Sequence, residues 1–435
     1  MSASEALRNT PFWWVDAGIT ASPTTDANDH LPEKTETLIV GAGYSGLSAA
    51  LTLARAGRDV LVVDAQHVGF GCSSRNGGQI GPSLHKLGLE GLKAAFGHQK
   101  AEAILRESLT SLDFLQDLIT TEKIDCAMQR RLGRFKGAVH ASDYEKFARD
   151  NEVLNKALGL EFEMIPKSQQ HTQIGSDHYQ GGVLYPSDGL LQPAKFVRDL
   201  AARVRAAGAR IIAPARATSI LRNGMGFTAL VAGKSISARE VLIATNGYSG
   251  PEFAYLHRRI IPIRSAIIAT EPLAPALMRS VFPTGRPVVD SSRLVPYYRP
   301  SPDGQRVIFG GRAFDLADRP DRYVPDLRRL MLRIFPQLAN AAISHAWSGT
   351  IAMTFDHAPH LGSHDGMHHV MGYCGSGIGR ATFFGHKIAL QMLGRASGKT
   401  ELDGLTFPTR PFYSGKPWFL PAVLRWHSVL DRFGR

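Results

Sequence analysis

The chain has 435 residues, 44% hydrophobic and 20% charged, with 50 Lys+Arg against 38 Asp+Glu for a formal charge of +12. That length allows roughly two or three domains, and the composition excludes a disordered or fibrous chain. The longest apolar runs, TLIV and VLVV, are far shorter than the roughly 20 residues that cross a bilayer, and Cys72, Cys126 and Cys374 show neither metal-ligand spacing nor a disulfide framework.

Residues 1–35 are polar apart from PFWWVDAG, where Trp13 and Trp14 are expected to dock an ordered N-terminal arm on the body. No basic start followed by an apolar core opens the chain, so a cytoplasmic setting without a secretory leader is expected. TLIV (37–40) reads as a short buried strand and GAGYSG as the turn after it. Leu47, Ala50, Leu51 and Ala54 then recur at helical spacing, Gly57 stops the helix, and DVLVVD (59–64) is the next strand. The loop GFGCSSRNGGQI (69–80) follows, and residues 85–170 mix helical patterns with strand pieces such as RFKGAVH. A helix over 193–208 leads to the strands ARIIAP and REVLIATNGY, and residues 255–345 hold Pro-punctuated strands including RPVVD and QRVIFGGR. GYCGSGIGRATFFG (372–385) opens a last core helix, and WFLPAVLRWHSVLDRFGR ends the chain.

Gly41, Gly43 and Gly46 fit GxGxxG with a strand before and an amphipathic helix after. In that setting the first glycine permits the tight turn, the second lets backbone N–H groups approach a pyrophosphate, and the third lets the helix lie close on the strand. The helix N-terminus adds partial positive charge. Asp64, 18 residues after Gly46, is placed to accept hydrogen bonds from a ribose and disfavours a 2′-phosphate. No second GxGxxG follows a strand, and the glycine-bearing segments 69–80, 244–248 and 372–385 are far apart. A ligand touched by all of them must be long, which favours FAD over a nicotinamide nucleotide.

The fold class expected is α/β: a Rossmann-like FAD-binding domain, a parallel sheet with helices, interrupted by a mixed, mainly antiparallel substrate domain. The FAD-binding segments are set at 36–110, 180–255 and 345–400, and the substrate domain at 111–179 and 256–344. The N-terminal arm takes 1–35, and a tail with an amphipathic helix takes 401–435.

The set VGAGYSGLSAA, GFGCSSRNGGQ, YPSDGLLQP, ATNGY, WSGTIAMTFDHAPHLG and GSGIGRATFFG resembles the D-amino-acid-oxidase-type FAD-dependent oxidoreductase superfamily. Within it the chain most resembles the gamma-glutamylputrescine oxidoreductase group. The resemblance implies that Gly41, Gly43, Tyr44, Ser45 and Gly46 hold the pyrophosphate and Asp64 the adenosine ribose. Ser73, Ser74, Arg75, Asn76, Gly78 and Gln79 would border pyrophosphate and flavin, and Ala217 the adenine. Gly247 joins this set, and Gly375, Ser376, Gly377, Ile378 and Gly379 would flank the isoalloxazine and ribityl chain. Sarcosine oxidases of this superfamily hold flavin through a cysteine where Gly349 stands here, so non-covalent FAD is expected.

The resemblance also implies oxidation of an amine or amino-acid C–N bond, with the imine hydrolysed in water and O2 as the default acceptor. A quinone or carrier protein is the alternative acceptor. A tRNA-modifying flavoenzyme of the superfamily is a remote alternative, since its methyltransferase half has no counterpart here; no nucleic-acid partner is expected. No metal site is expected. Tyr297, Arg299 and His357 are the catalytic candidates, and Tyr298, Arg312 and Arg264 the substrate-binding ones, arginine offering a planar fork to an acidic group. In the tail, Val423, Trp426, Leu430 and Phe433 form one apolar stripe. Packing on the FAD-binding domain and docking on a membrane surface are both open readings of it.

Overall fold

The strand VLVV is apolar throughout because both faces of its sheet are covered. The computed structural model describes residues 7–19, 31–82, 84, 87–312 and 318–433, with 428, 432 and 433 as backbone alone. Lys34–Val40 lies parallel between Val60–Val63 and Lys234–Ile243, and Val60–Val63 pairs in parallel with Arg210–Ile212. Met367–Met371 adds in parallel beyond Lys234–Ile243, and His360–His364 closes that edge antiparallel. The helices Tyr44–Arg55, Pro193–Ala206 and Gly377–Met392 cover Ile39, Val60, Val62 and Leu242 on one face. A meander of Ala217–Asn223, Gly226–Val231 and the start of Lys234–Ile243 covers Leu38, Leu61 and Val63 on the other. A parallel sheet covered on both faces reads as continuous apolar runs.

Among the described residues the second sheet has eight strands, in the order Ile343–Met353, Ile261–Thr270, Val307–Arg312, Tyr297–Pro300, Val288–Asp290, Arg134–Gly137, Gly182–Tyr185 and Glu163–Ile165. Pairing is antiparallel except where Val288–Asp290 meets Arg134–Gly137. Helix Pro320–Ile334 covers one face through Tyr323, Leu327, Met331 and Ile334. On the other, Ile267, Ala269, Ile308 and Trp347 meet the N-terminal helix Phe12–Asp16, whose Trp13 and Trp14 are buried as expected.

The α/β class and the pairing of a parallel with a mainly antiparallel sheet are as the sequence indicates, but three segment limits differ. Gly182–Tyr185 and all of Ile343–Met353 from residue 345 onward, set in the FAD-binding segments, pair in the second sheet. The limit at 110 falls inside helix His98–Thr121, whose Leu112, Leu115 and Ile119 join the core under the first sheet. A helix that covers one core and leads to another carries no composition change at the crossing.

Candidate active site

The glycines of the first turn are required by contact as well as conformation. Gly41 has φ +110°, and a methyl group on it would stand 2.8 Å from Ala244 O. On Gly46 a methyl would stand 1.9 Å from Gly41 O. Asp64 closes the turn: its carboxylate accepts the N–H of Ala42 (2.8 Å) and of Gln66 (2.9 Å). Burial pushes the Asp64 carboxyl upward, against these two hydrogen bonds. The main-chain oxygen of Asp64 accepts the Ala215 N–H (2.5 Å), which brings the strand beginning at Ala217 beside it. Tyr44 and Ser45 offer the cradle their backbone only. The Tyr44 hydroxyl donates to Pro193 O (3.3 Å), and the Ser45 hydroxyl is 2.5 Å from that of Tyr373. Among the described residues the N–H groups of Ser45 and Gly46 in the first turn have no partner and remain for an anion.

The loop after Asp64 is mostly tied to protein. Of its polar side chains only Ser73 faces the glycine turn: its hydroxyl accepts the Tyr44 N–H (3.1 Å), and a methyl on Gly43 would stand 2.9 Å from it. Ser74 donates to Gly69 O (2.7 Å) and accepts the Trp14 indole N–H (2.8 Å). Arg75 donates to Phe70 O (2.7 Å) and Ser348 O (3.1 Å), with its guanidinium over the Trp14 and Phe70 rings. Asn76 donates to Tyr44 Oη (3.2 Å), Cys72 O (2.9 Å) and Ser73 O (3.2 Å), and accepts the Gly78 N–H (2.8 Å). Gln79 donates to Val288 O and Tyr298 O, both at 3.3 Å. The expectation that Ser74, Asn76 and Gln79 donate to phosphate and ring is corrected here, because their donors shape the loop, and Arg75 turns its Nε and Nη1 to the loop and the neighbouring strand in the same way. The indoles of Trp13 and Trp347, at 2.8 and 2.9 Å from Asn76 O and Arg75 O, fasten it from outside.

Strand alternation decides which substrate-domain candidates reach this loop. Tyr297 and Tyr298 are adjacent, so they point to opposite faces. Tyr298 is fully buried under helix Pro320–Ile334, stacked on Phe309 with its hydroxyl against that of Tyr179; it is a core residue, not a substrate contact. Tyr297 faces the FAD-binding side, where a methyl on Gly77 would stand 2.9 Å from its ring and Ser265 Oγ lies 2.9 Å from its hydroxyl. Arg299 shares that face but is spent: its guanidinium donates to Leu191 O (2.7 Å), Gly78 O (3.3 Å) and Pro300 O (3.0 Å). Its catalytic assignment is corrected to a structural one, and burial lowers its pKa to about 9. Arg264 donates to Ser348 Oγ (2.6 Å), with Asp318 at 3.8 Å, so it too is committed inside the wall. His357 sits at φ +59° in the turn after Ile343–Met353, its N–H donating to Thr354 O (3.4 Å). Gly247 lets its segment approach that strand, since a methyl there would stand 2.8 Å from Thr350 O.

Arg312 is the exception among the candidates. Among the described residues its half-buried guanidinium has no hydrogen bond and no ion pair, and burial lowers its pKa. A methyl on Gly375 would lie 3.6 Å from Arg312 Nη2 and 3.5 Å from Ile351 Cδ1. Gly375, at φ +88°, is exposed although Tyr373 and Cys374 before it and Ile378 onward are buried. Ser376 and Gly377 are half-buried at the start of helix Gly377–Met392, where Gly379 approaches Ser111 O. Arg312, Ile351 and Gly375 therefore lie together, with Tyr297 near Arg312, and form the candidate substrate recess. Sequence reasoning missed Ile351 and Ser265, which no local pattern marks.

Cys72 is not an activated thiol. It donates to Thr350 O (3.0 Å), and burial pushes it up to about 12 against the nearby arginines. A methyl on Gly349 would stand 3.0 Å from its sulfur, so Cys72 fills the room a side chain at 349 would need.

A turn that admits only glycine, a helix N-terminus and a half-buried acid at the second strand's end fit the pyrophosphate and ribose of FAD. The chain is 31% identical over 430 residues to the probable oxidoreductase OrdL of Rhizobium meliloti, covering 97% of this chain and 98% of that one. It is 29% identical to the gamma-glutamylputrescine oxidoreductase of Escherichia coli, covering 91% and 92%. The fold matches glycine oxidase from Geobacillus kaustophilus with TM-score 0.71 at 19% identity, over 87% of this chain and 99% of that one. The family model described as DAO, FAD dependent oxidoreductase, matches residues 36–391. With that match spanning both sheets and every part of the cradle, the chain belongs to the DAO family of FAD-dependent oxidoreductases.

Proposed function

We propose that the protein oxidises the C–N bond of an amine or amino acid that carries a negatively charged group, such as a carboxylate or phosphonate, and passes the electrons to O2. The observation that carries the reading is Arg312, a half-buried cation with no counter-charge among the described residues. Removing a guanidinium from water without a partner costs several kcal/mol, which an anionic ligand offsets. FAD, when bound, supplies the acceptor for the hydride that leaves the substrate's α-carbon. Arg312 grips the anion, Ile351 gives the recess an apolar wall, and Tyr297, oriented by Ser265, borders it. The names of the amine-oxidising relatives support the same reaction class.

The test is anaerobic addition of an amine panel to the FAD-loaded protein. An amine that bears an acidic group should bleach the flavin's visible band, and in air should release equimolar H2O2. If no amine bleaches it, the reading fails; bleaching with dye reduction but no H2O2 replaces O2 with another acceptor.

The pH profile follows from the pocket's own groups. Burial pushes Tyr297 up to about 12, beyond the lowering effect of Ser265 and Arg312, and Cys72 reaches about 12 as well. Both keep their protons across the neutral range, so neither is a general base there. The expected kcat/KM rises with pH along one limb set by the substrate's own ammonium group, and Tyr297→Phe leaves that limb in place. A limb that vanishes in Tyr297→Phe would make the phenol the base.

A further inference from the structure

The C-terminal tail carries aromatic surface that the reaction does not use. Phe412 is 96% exposed, Trp418 74% and Trp426 61%. Helix Leu420–Phe433 packs through Leu420 and Leu424, which are buried. Val423, Trp426 and Val429, spaced three apart, lie on its exposed side, and Leu430 is half-buried. The stripe read from the sequence is thus turned outward rather than packed on the FAD-binding domain; Phe433's side chain lies outside the described residues. Three large exposed aromatics within one short stretch mark an interaction surface.

Charge says what covers it. From residue 405 onward the sequence has Arg410, Lys416, Arg425, Arg432 and Arg435 against Asp431 alone. Asp431 is already engaged, accepting the N–H of Arg293 (2.8 Å) and of Leu294 (3.2 Å). Arg410, Lys416 and Arg425 are exposed and interleave with Phe412, Trp418 and Trp426 along the chain. A protein interface gathers apolar groups in a core depleted of lysine, with charge at the rim. Interleaved bases and aromatics instead suit the headgroup level of a bilayer, where indoles sit and cations meet lipid phosphates. No helix among the described residues is long and apolar enough to cross a membrane, so contact through this tail is peripheral.

We propose that residues 410–429 dock the protein on an anionic phospholipid surface, with Phe412, Trp418 and Trp426 entering the headgroup layer and Arg410, Lys416 and Arg425 facing lipid phosphate. The docked tail is continuous with the recess. Phe419 and Tyr413 pack in one cluster with Ile351 and Cys374, and Asp431 holds the loop that leads into Tyr297. Lipid contact is therefore made beside the wall of the substrate recess.

The test uses the full-length, FAD-loaded protein with vesicles of phosphatidylcholine alone or mixed equally with phosphatidylglycerol. Sedimentation with the mixed vesicles only, reversed by salt and accompanied by a blue shift of tryptophan emission, is the expected result. The double variant Trp418→Ser/Trp426→Ser should abolish it. Lys416→Gln/Arg425→Gln should weaken it about thirtyfold, from roughly fivefold for each positive charge lost. Flavin content and turnover of a soluble amine should stay unchanged in both. Equal sedimentation with the two vesicle types, or none with either, overturns the proposal, and the unaltered protein alone decides that comparison. A doubled mass in light scattering that the tryptophan variant halves would assign the surface to a second copy instead.

Discussion

Arg312→Ala is expected to cut kcat/KM about a thousandfold for an amine that bears a carboxylate, and to leave a neutral amine of similar shape nearly unaffected. The asymmetry follows from the geometry: the guanidinium has no partner of its own among the described residues, so its loss removes only what it offers a ligand. Arg312→Lys keeps the charge but not the planar fork, and should recover part of the loss, mainly in KM. Thermal stability separates this role from a structural one. Arg312→Ala should hold or raise Tm, since an uncompensated cation is relieved of burial. Arg299→Ala should lower Tm, because it leaves the carbonyl of Leu191 without its donor. Steady-state rates on matched charged and neutral amines, with Tm for each variant, check both. A fall in rate on the two amines alike would remove Arg312 from substrate recognition.

The second large effect is expected at Gly46. The methyl of Gly46→Ala would meet Gly41 O at 1.9 Å, so helix and turn must part. Overpacking of this kind costs about 1–3 kcal/mol, and it displaces the N–H groups that face the pyrophosphate. FAD at a hundredfold excess over Kd stabilises the unaltered protein by about 2.7 kcal/mol; the variant should lose most of the matching rise in Tm. Gly57→Ala is the control. Gly57 has φ +81° but open space around it, so alanine there strains the backbone without touching the cradle. It should lower Tm while keeping the rise that FAD brings. An equal FAD-dependent rise in Gly46→Ala and the unaltered protein would place the cofactor elsewhere.

The cradle was legible because its constraints are local. Gly41, Gly43, Gly46 and Asp64 fall within one β-α-β unit, so spacing along the chain translates directly into spacing in the fold. The loop 72–79 was harder. Its residue types announce hydrogen-bond donors, but sequence does not say whether a donor finds a ligand or a carbonyl. Asn76 and Arg75 found carbonyls, Ser74 found a carbonyl and an indole, and Trp13, Trp14 and Trp347 came from distant parts of the chain to fix them. Tyr298 and Arg299 show two further limits. Alternation separates Tyr297 from Tyr298, but the face that meets the FAD-binding domain is set by which helix covers the other. Arg299 lies on the productive face, yet the oxygens of Gly78 and Leu191 reach it first. The tail shows the same limit in reverse: helical spacing picked out Val423 and Trp426 as one stripe, but not that Leu420 and Leu424 would take the inward side.

The Ser45 and Tyr373 hydroxyls that close the cradle are 328 residues apart. Ser48 likewise reaches Thr382 O, and helix Gly377–Met392 lies on Ser45 so closely that residue 385 must be glycine. On a ribosome, then, the nucleotide-binding turn emerges first and stays unfinished until the last core helix appears. At translation rates of about 5–20 residues per second that interval is roughly 16–66 s. Cofactor capture is thus a property of the completed polypeptide, and a nascent chain halted before helix Gly377–Met392 should leave no trace of flavin on the ribosome.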